Sequence, residues 1–350
     1  MAQPDPRPAR RDTHADRAPS PGTEAEEPQQ ITLRETTARG ISRRRVIVSA
    51  AGLAGAFALG RFLPASADLV DGPEPPDLDV PDDPTAVQGR PLSRTGIRSP
   101  FVDLERRAWE EDPPQNTAGW TYTPLQDLEG NVTPSDLHFE RHHAGTPIID
   151  PAEHELVVHG MVSRPMVYTL WDLERLPRES HIYFIECSGN SLDGYEEVPP
   201  DAQADIHGLV STSEWVGVSM RTIIEDAGVD PDATWALFEG ADAAVMTRSV
   251  PVEKLMDDAL IAFYQNGEYI RPEQGYPMRL VLPGWEGNMQ IKWLRRIKFG
   301  DAPFHTKEET RHYTDRMPDG TARQFTFPME AKSVITWPSA GRGVPGAGTW

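Results

Sequence analysis

The sequence predicts an α+β fold built on mixed sheets. Three observations carry that expectation. Strand-like and helical runs mix without a regular βαβ period. Of the 350 residues 38% are apolar, enough for a substantial core. Neither a Gly-x-Gly-x-x-Gly opening a helix nor a Walker A motif is present, so the nucleotide-binding α/β folds lack support.

The elements follow in order. Residues 1–45 are rich in Pro, Arg, Ala and acids and read as a disordered N-terminal extension. Residues 42–67 read as a twin-arginine-type signal peptide. Ser42-Arg43-Arg44-Arg45 precedes an apolar stretch through Gly60, and Ala65-Ser66-Ala67 closes it with a small-x-small cleavage pattern. A membrane anchor is the alternative, but a span needs about 20 apolar residues and Arg61 ends this run early. Export to the periplasm or another extracytoplasmic space is therefore expected. Twin-arginine export carries folded cargo, which suits a cofactor inserted before export. Residues 68–100 are Pro- and acid-rich and read as a linker.

Globular sequence is expected over 101–330. Strands are expected at 156–160 and 166–170 around a turn, then a short helix at 171–176 ended by Pro177. A buried strand is expected at 182–185, a helix at 219–227 and a strand at 234–238. An amphipathic helix is expected at 252–264, with Asn266-Gly267 turning the chain after it. Strands follow at 278–282 and 291–299. No internal repeat is found. Residues 331–350, Gly-rich at the end, read as a tail or as the start of a missing C-terminal domain.

With 34 basic and 54 acidic residues the net charge is −20. That argues against nucleic-acid binding. It suits a basic protein partner through electrostatic steering, or simply a soluble surface.

Cys187 is the one cysteine. A lone thiol is either a packed apolar group or a ligand or nucleophile. Ser188-Gly189-Asn190 breaks the strand before it, so the thiol stands where a strand opens into a loop, which favours chemistry. A Cys-x-x-Cys-His haem site is impossible with one cysteine, so no haem is expected in this chain. Four further segments join turns to polar groups: His138-Phe139-Glu140-Arg141-His142-His143, Phe238-Glu239-Gly240-Ala241-Asp242, residues 272–279, and Pro283-Gly284-Trp285-Glu286-Gly287-Asn288-Met289-Gln290-Ile291-Lys292-Trp293. Such segments suit a pocket for an anion. Each has a plainer reading. The three histidines could bind zinc, though without a His-Glu-x-x-His helix. Arg141, Arg279 and Lys292 could be surface ion pairs, Asp242 a solvated turn residue, and Trp285 and Trp293 core aromatics.

Together these segments resemble the sulfite oxidase family of molybdopterin enzymes, from about Pro134 to Gly300 and in the family's order. The most specific pieces are Phe139-Glu140-Arg141-His142-His143, Glu186-Cys187-Ser188-Gly189-Asn190, Gly275-Tyr276-Pro277-Met278-Arg279 and Ile291-Lys292-Trp293-Leu294. The runs 136–145, 284–289 and Ala322-Arg323-Gln324-Phe325-Thr326-Phe327 look like the family's sulfane (sulfite) dehydrogenase branch. The resemblance implies a molybdopterin-binding domain carrying a molybdenum–molybdopterin cofactor. It implies Cys187 as molybdenum ligand, and Arg141 as a catalytic cation facing the substrate oxyanion. Arg141, His143, Asp242, Gln274, Arg279, Gln290, Ile291 and Lys292 fall at cofactor-contact positions. A soft thiolate suits such a metal, and Arg and Lys suit phosphate.

The activity implied is oxygen transfer to a sulfur substrate, sulfite or protein-bound sulfane sulfur, with electrons passing to a c-type cytochrome. The alternatives are an S-oxide or N-oxide reductase on the same fold, or a non-catalytic periplasmic binding or scaffold protein. Family members continue into an immunoglobulin-like domain that makes a homodimer. That domain reads as absent or truncated here, and a dimer is expected only of a full-length chain. Three positions depart from the family's pattern. Met246 stands where sulfite oxidases place a tyrosine, Leu192 where animal enzymes carry an arginine, and Gln274 where they often have histidine. The first two remove a hydroxyl and a cation, which favours a less charged or protein-borne sulfur substrate.

Overall fold

The structure, a computed structural model, describes residues 81–102, 104–108, 117–195 and 205–336. The N-terminal extension, the signal segment, residues 68–80 of the linker and residues 337–350 lie outside the described residues. Residues 81–100 are exposed along their length and form no helix or strand.

In chain order come strands β1 (Arg107–Ala108), β2 (Gly119–Tyr122), β3 (Glu140–His142), β4 (Leu156–Gly160) and β5 (Met166–Tyr168), then helix α1 (Leu170–Glu174). Strands β6 (Glu179–Glu186) and β7 (Val210–Ser219) lead into helix α2 (Met220–Ala227). Then follow β8 (Trp235–Gly240), β9 (Thr247–Pro251), helix α3 (Val252–Asp257), β10 (Leu260–Gln265), β11 (Glu268–Tyr269) and β12 (Arg279–Val281). The last strands are β13 (Leu294–Gly300), β14 (Thr314–Arg316) and β15 (Ala322–Gln324).

Two five-stranded sheets dominate. One runs β11-β10-β7-β6 with β12 on the flank of β10, and is antiparallel throughout. The other runs β5-β4-β13-β8-β9, and its β4–β13 pair is parallel while the rest are antiparallel. This is the mixed α+β architecture the sequence predicts.

The larger core lies between the sheets and the helices. Leu156 and Val158 of β4, Ile223 of α2, Phe238 of β8 and Ile297 of β13 pack there with Val218, Ile261, Phe263 and Leu280 from the first sheet. Each large apolar side chain so buried contributes about 1.5–3 kcal/mol. A smaller core gathers around Trp215, which is fully buried with Phe139, Ile185, Leu260 and Val281, and Cys187 packs against it. Helix α1 is fixed by a capping box: the Thr169 hydroxyl accepts from the Asp172 N–H, and the Asp172 carboxylate accepts from the Thr169 N–H.

Three sequence expectations need correction. The helix expected over 252–264 ends at Asp257, and β10 follows. The reason is the contiguous apolar run Leu260-Ile261-Ala262-Phe263, all buried between β7 and β12, where a helix would spread those residues around every face. The strand expected at 182–185 exists within β6, but it is not buried throughout. Side chains alternate along β6, and the face carrying Ile182 (60% exposed) and Phe184 (39%) is open while Ile185, on the other face, is 2% exposed. The strand expected from 291 starts at Leu294, because Trp293 takes a left-handed φ of 51° that breaks the extended run.

Candidate active site

Strand β6 ends at Glu186, and Cys187 is the next residue. The Cys187 N–H donates to the Leu209 carbonyl at 2.9 Å, and the Asn190 N–H donates back to the Cys187 carbonyl at 2.9 Å. The Asn190 side chain reinforces this turn, donating to the buried Glu186 carboxylate at 2.8 Å and accepting from the Leu209 N–H at 3.1 Å. Glu186 also pairs with Lys332. The segment carrying Gly287 closes on the same turn. A Cβ at Gly287 would stand 2.8 Å from the Glu186 carbonyl oxygen and 3.3 Å from the Cys187 Cα, so only glycine permits the approach. Burial pushes the Cys187 thiol up, while the Gly189 N–H and Arg141 act in the opposite direction.

The nine residues singled out from the sequence come from five separate segments. Cys187, Arg141, His143, Asp242, Gln274, Arg279, Gln290, Ile291 and Lys292 all line one cleft of about 680 Å³.

One wall is cationic. Arg279 is buried, its Nη1 donating to the Gln274 carbonyl at 2.9 Å and its Nη2 to the Gln290 carbonyl at 3.2 Å. Its guanidinium lies 5.0 Å from the Trp215 ring centroid, and its Nε has no partner. Burial alone brings its pKa down to about 9. Lys292 Nζ donates to the carbonyls of Arg141 (3.1 Å) and Glu273 (3.0 Å) and to His142 Nδ1 (3.0 Å). Burial and the neighbouring Arg279 bring its pKa down to about 7. Among the described residues neither cation meets a carboxylate. Gly275, at φ 113°, lets the two side chains converge: a Cβ there would stand 3.1 Å from the Lys292 Cβ and 3.2 Å from the Arg279 Cβ. Because Lys292 donates to Nδ1, the proton of neutral His142 sits on Nε2 and is given to the Glu140 carboxylate at 2.8 Å. Burial and Lys292 hold the His142 pKa down to about 4.

The other wall is closed by an internal ion pair. Arg248 and Glu309 are both fully buried, with Nε to Oε1 at 2.9 Å. Arg248 also donates from Nη1 to Asn288, whose Nδ2 donates to Ser188 Oγ at 3.1 Å. Asp242 accepts the Met246 N–H at 3.1 Å, and Met246 lines the cleft. Arg141 sits at the rim, its guanidinium 5.4 Å from the Trp120 ring centroid. Leu192 is 58% exposed and outside the cleft lining.

The zinc reading finds no support: among the described residues no three His, Cys, Asp or Glu side chains are gathered to hold a metal. His138 is buried where it lines the cleft, Nδ1 against the Phe139 carbonyl at 3.1 Å and Nε2 without a partner, with burial holding its pKa to about 3. Sequence reasoning missed His142, Arg248, Asn288, Glu309 and Tyr313. His142 and Asn288 sit inside segments already marked; Arg248, Glu309 and Tyr313 carry no local pattern.

A group that fits this cleft must offer negative charge to buried Arg279 and half-buried Lys292, hydrogen bonds to Arg279 Nε and the unpartnered Gln290 Oε1, and a soft centre to one thiol. A phosphorylated, sulfur-bearing metal cofactor has that chemistry. The comparisons with known proteins agree. The family described as "Oxidoreductase molybdopterin binding domain" matches residues 143–308. The solved sulfane dehydrogenase SoxCD from Paracoccus pantotrophus is 39% identical with a TM-score of 0.69, over 77% of this chain and 70% of that one. This chain belongs to the sulfite oxidase family of molybdopterin oxidoreductases. Within the family, the mitochondrial sulfite oxidase of Drosophila melanogaster is 31% identical over 190 residues, 52% of this chain and 32% of the fly protein. The NADH nitrate reductase of Ulva prolifera is 28% identical over 196 residues, 49% of this chain and 22% of the algal protein. The chain thus spans a third or less of the length of these two relatives.

Proposed function

We propose that this protein is an exported molybdenum-cofactor oxidoreductase that transfers an oxygen atom to a sulfur substrate, sulfite or protein-bound sulfane sulfur, and passes the electrons to a c-type cytochrome. The observation that carries the reading is one thiol lining the same cleft as two cations, buried Arg279 and half-buried Lys292, that meet no carboxylate among the described residues. When bound, the cofactor supplies two-electron oxygen-atom exchange; the protein supplies binding, orientation and field.

Cys187 holds the molybdenum. Arg279 and Lys292 hold the pterin phosphate. Lys292 contributes chiefly charge, since its three N–H groups are already given to Arg141, His142 and Glu273. Gln274, Gln290, Asp242 and His143 are the polar contacts to the pterin, and Ile291 the apolar one. Arg141 receives the anionic end of the substrate. The likeness to a sulfane dehydrogenase supports a sulfur substrate. Met246, which has no donor to offer an oxygen, and the displaced Leu192 favour a substrate of low charge or one carried on a protein. The likeness to nitrate reductases supports a second reading, a reductase of S-oxides or N-oxides.

The test is molybdenum and pterin content of the purified protein beside Cys187→Ser, then turnover of sulfite with an acceptor dye against methionine sulfoxide with a donor dye. Near one metal per chain, lost in the variant, with sulfite oxidised, is expected. Absence of metal and pterin from a host able to make both overturns the proposal, and reduction of the sulfoxide alone favours the second reading.

A further inference from the structure

Tyr313 lines the cleft with Cys187 and Arg141, from a segment far along the chain. Its ring lies under the Arg248 guanidinium, 4.6 Å from Cζ to ring centroid. That guanidinium is fixed by Glu309 at 2.9 Å, and the same carboxylate accepts the Ser249 N–H at 2.9 Å. The Tyr313 N–H donates to the Glu308 carbonyl at 3.0 Å. Ring and backbone are therefore both held, yet the hydroxyl has no hydrogen-bond partner among the described residues and is not sealed off from the cleft. A fixed phenol with an unused donor on a cleft wall is satisfied only by what enters the cleft.

We propose that Tyr313 is a substrate-binding residue, its hydroxyl donating to an oxygen borne by the substrate's sulfur while Arg141 supplies the opposing cation. The proposal rests on the reading of the cleft as the molybdenum site. Burial raises the phenol pKa further above its ordinary value, so Tyr313 stays a donor across the neutral range. Met246, on the same cleft, has no donor, which leaves Tyr313 as the hydroxyl available there.

The experiment titrates sulfate, a fully oxidised tetrahedral oxyanion of sulfur, into the cofactor-loaded protein by calorimetry. Molybdenum and pterin are assayed first, so that Arg279 and Lys292 are engaged by the cofactor. Tyr313→Phe keeps the ring and its stack on Arg248 and loses only the donor. Wild type is expected to bind sulfate, and Tyr313→Phe to bind it about tenfold more weakly, with unchanged metal content and thermal midpoint. Equal affinity in the loaded variant, or no sulfate binding by loaded wild type, overturns the proposal. A wild type devoid of molybdenum and pterin overturns the underlying reading instead, and the assay that precedes the titration tells the two failures apart.

Discussion

Arg248 and Arg279 are both buried beside the same cleft, and they differ in what meets them. Arg248 finds a carboxylate, Glu309, and a side-chain amide, Asn288. Arg279 finds two backbone carbonyls, the Gln274 side-chain carbonyl at 3.4 Å and an aromatic face, but no carboxylate among the described residues; each arginine keeps one nitrogen without a partner, Arg248 Nη2 and Arg279 Nε. Dipoles alone do not balance a buried charge. The first arginine is a strut whose charge is matched inside the chain. The second is half of a socket, completed by an anion from outside.

The largest effect should fall on the strut. Arg248→Met leaves Glu309 as a buried, unmatched carboxylate and is expected to cost about 3–5 kcal/mol in denaturant unfolding. A loss well under 1 kcal/mol would erase the distinction between the two arginines.

Next comes pH. His138 and His142 are neutral in the fold, with pKa values of about 3 and about 4. Unfolded, each returns to about 6.5, so between these values the unfolded chain binds more protons and stability falls as pH falls. By pH 5 each histidine should subtract about 2 kcal/mol, read as a drop in thermal midpoint from pH 7. His142→Gln should flatten the slope, and an unchanged slope would mean that His142 titrates alike in the folded and unfolded chain.

Gly287→Ala, forced against the Glu186 carbonyl and Cys187, should cost about 1–3 kcal/mol and lower molybdenum content. Arg279→Met sharpens the comparison from the other side. In cofactor-free protein it should be neutral or stabilising by about 1 kcal/mol, because it removes an unmatched charge. It should nevertheless abolish pterin loading, measured as fluorescence of the oxidised pterin. The smallest effect belongs to Lys292, whose pKa of about 7 leaves it charged below neutrality. Sulfate, whose charge is constant over this range, should bind the cofactor-free protein severalfold more tightly at pH 6 than at pH 8.

The socket was legible in the sequence and the strut was not, for a physical reason. Arg141, Cys187, Arg279 and Lys292 each stand beside a turn in a short, dense motif, so local pattern marks them. Arg248 and Glu309 lie 61 residues apart and matter only through each other. Tyr313 matters through its stack on Arg248, and nothing in the residues beside it announces that contact. The fold shows the same division. The parallel β4–β13 pairing and the edge position of β6 are facts of assembly. The helix expected over 252–264 stops at Asp257 because burial between two neighbouring strands decides the apolar run that follows.

Asn288 ties the two walls. Its amide takes a hydrogen bond from Arg248 and gives one to Ser188, the residue after Cys187. Beside it, Gly287 sits against the backbone of Cys187 itself. The thiol therefore cannot be repositioned without disturbing the ion pair behind it. Substitutions at Ser188, Arg248, Asn288 and Glu309 should therefore not add: each reaches the thiol through the others.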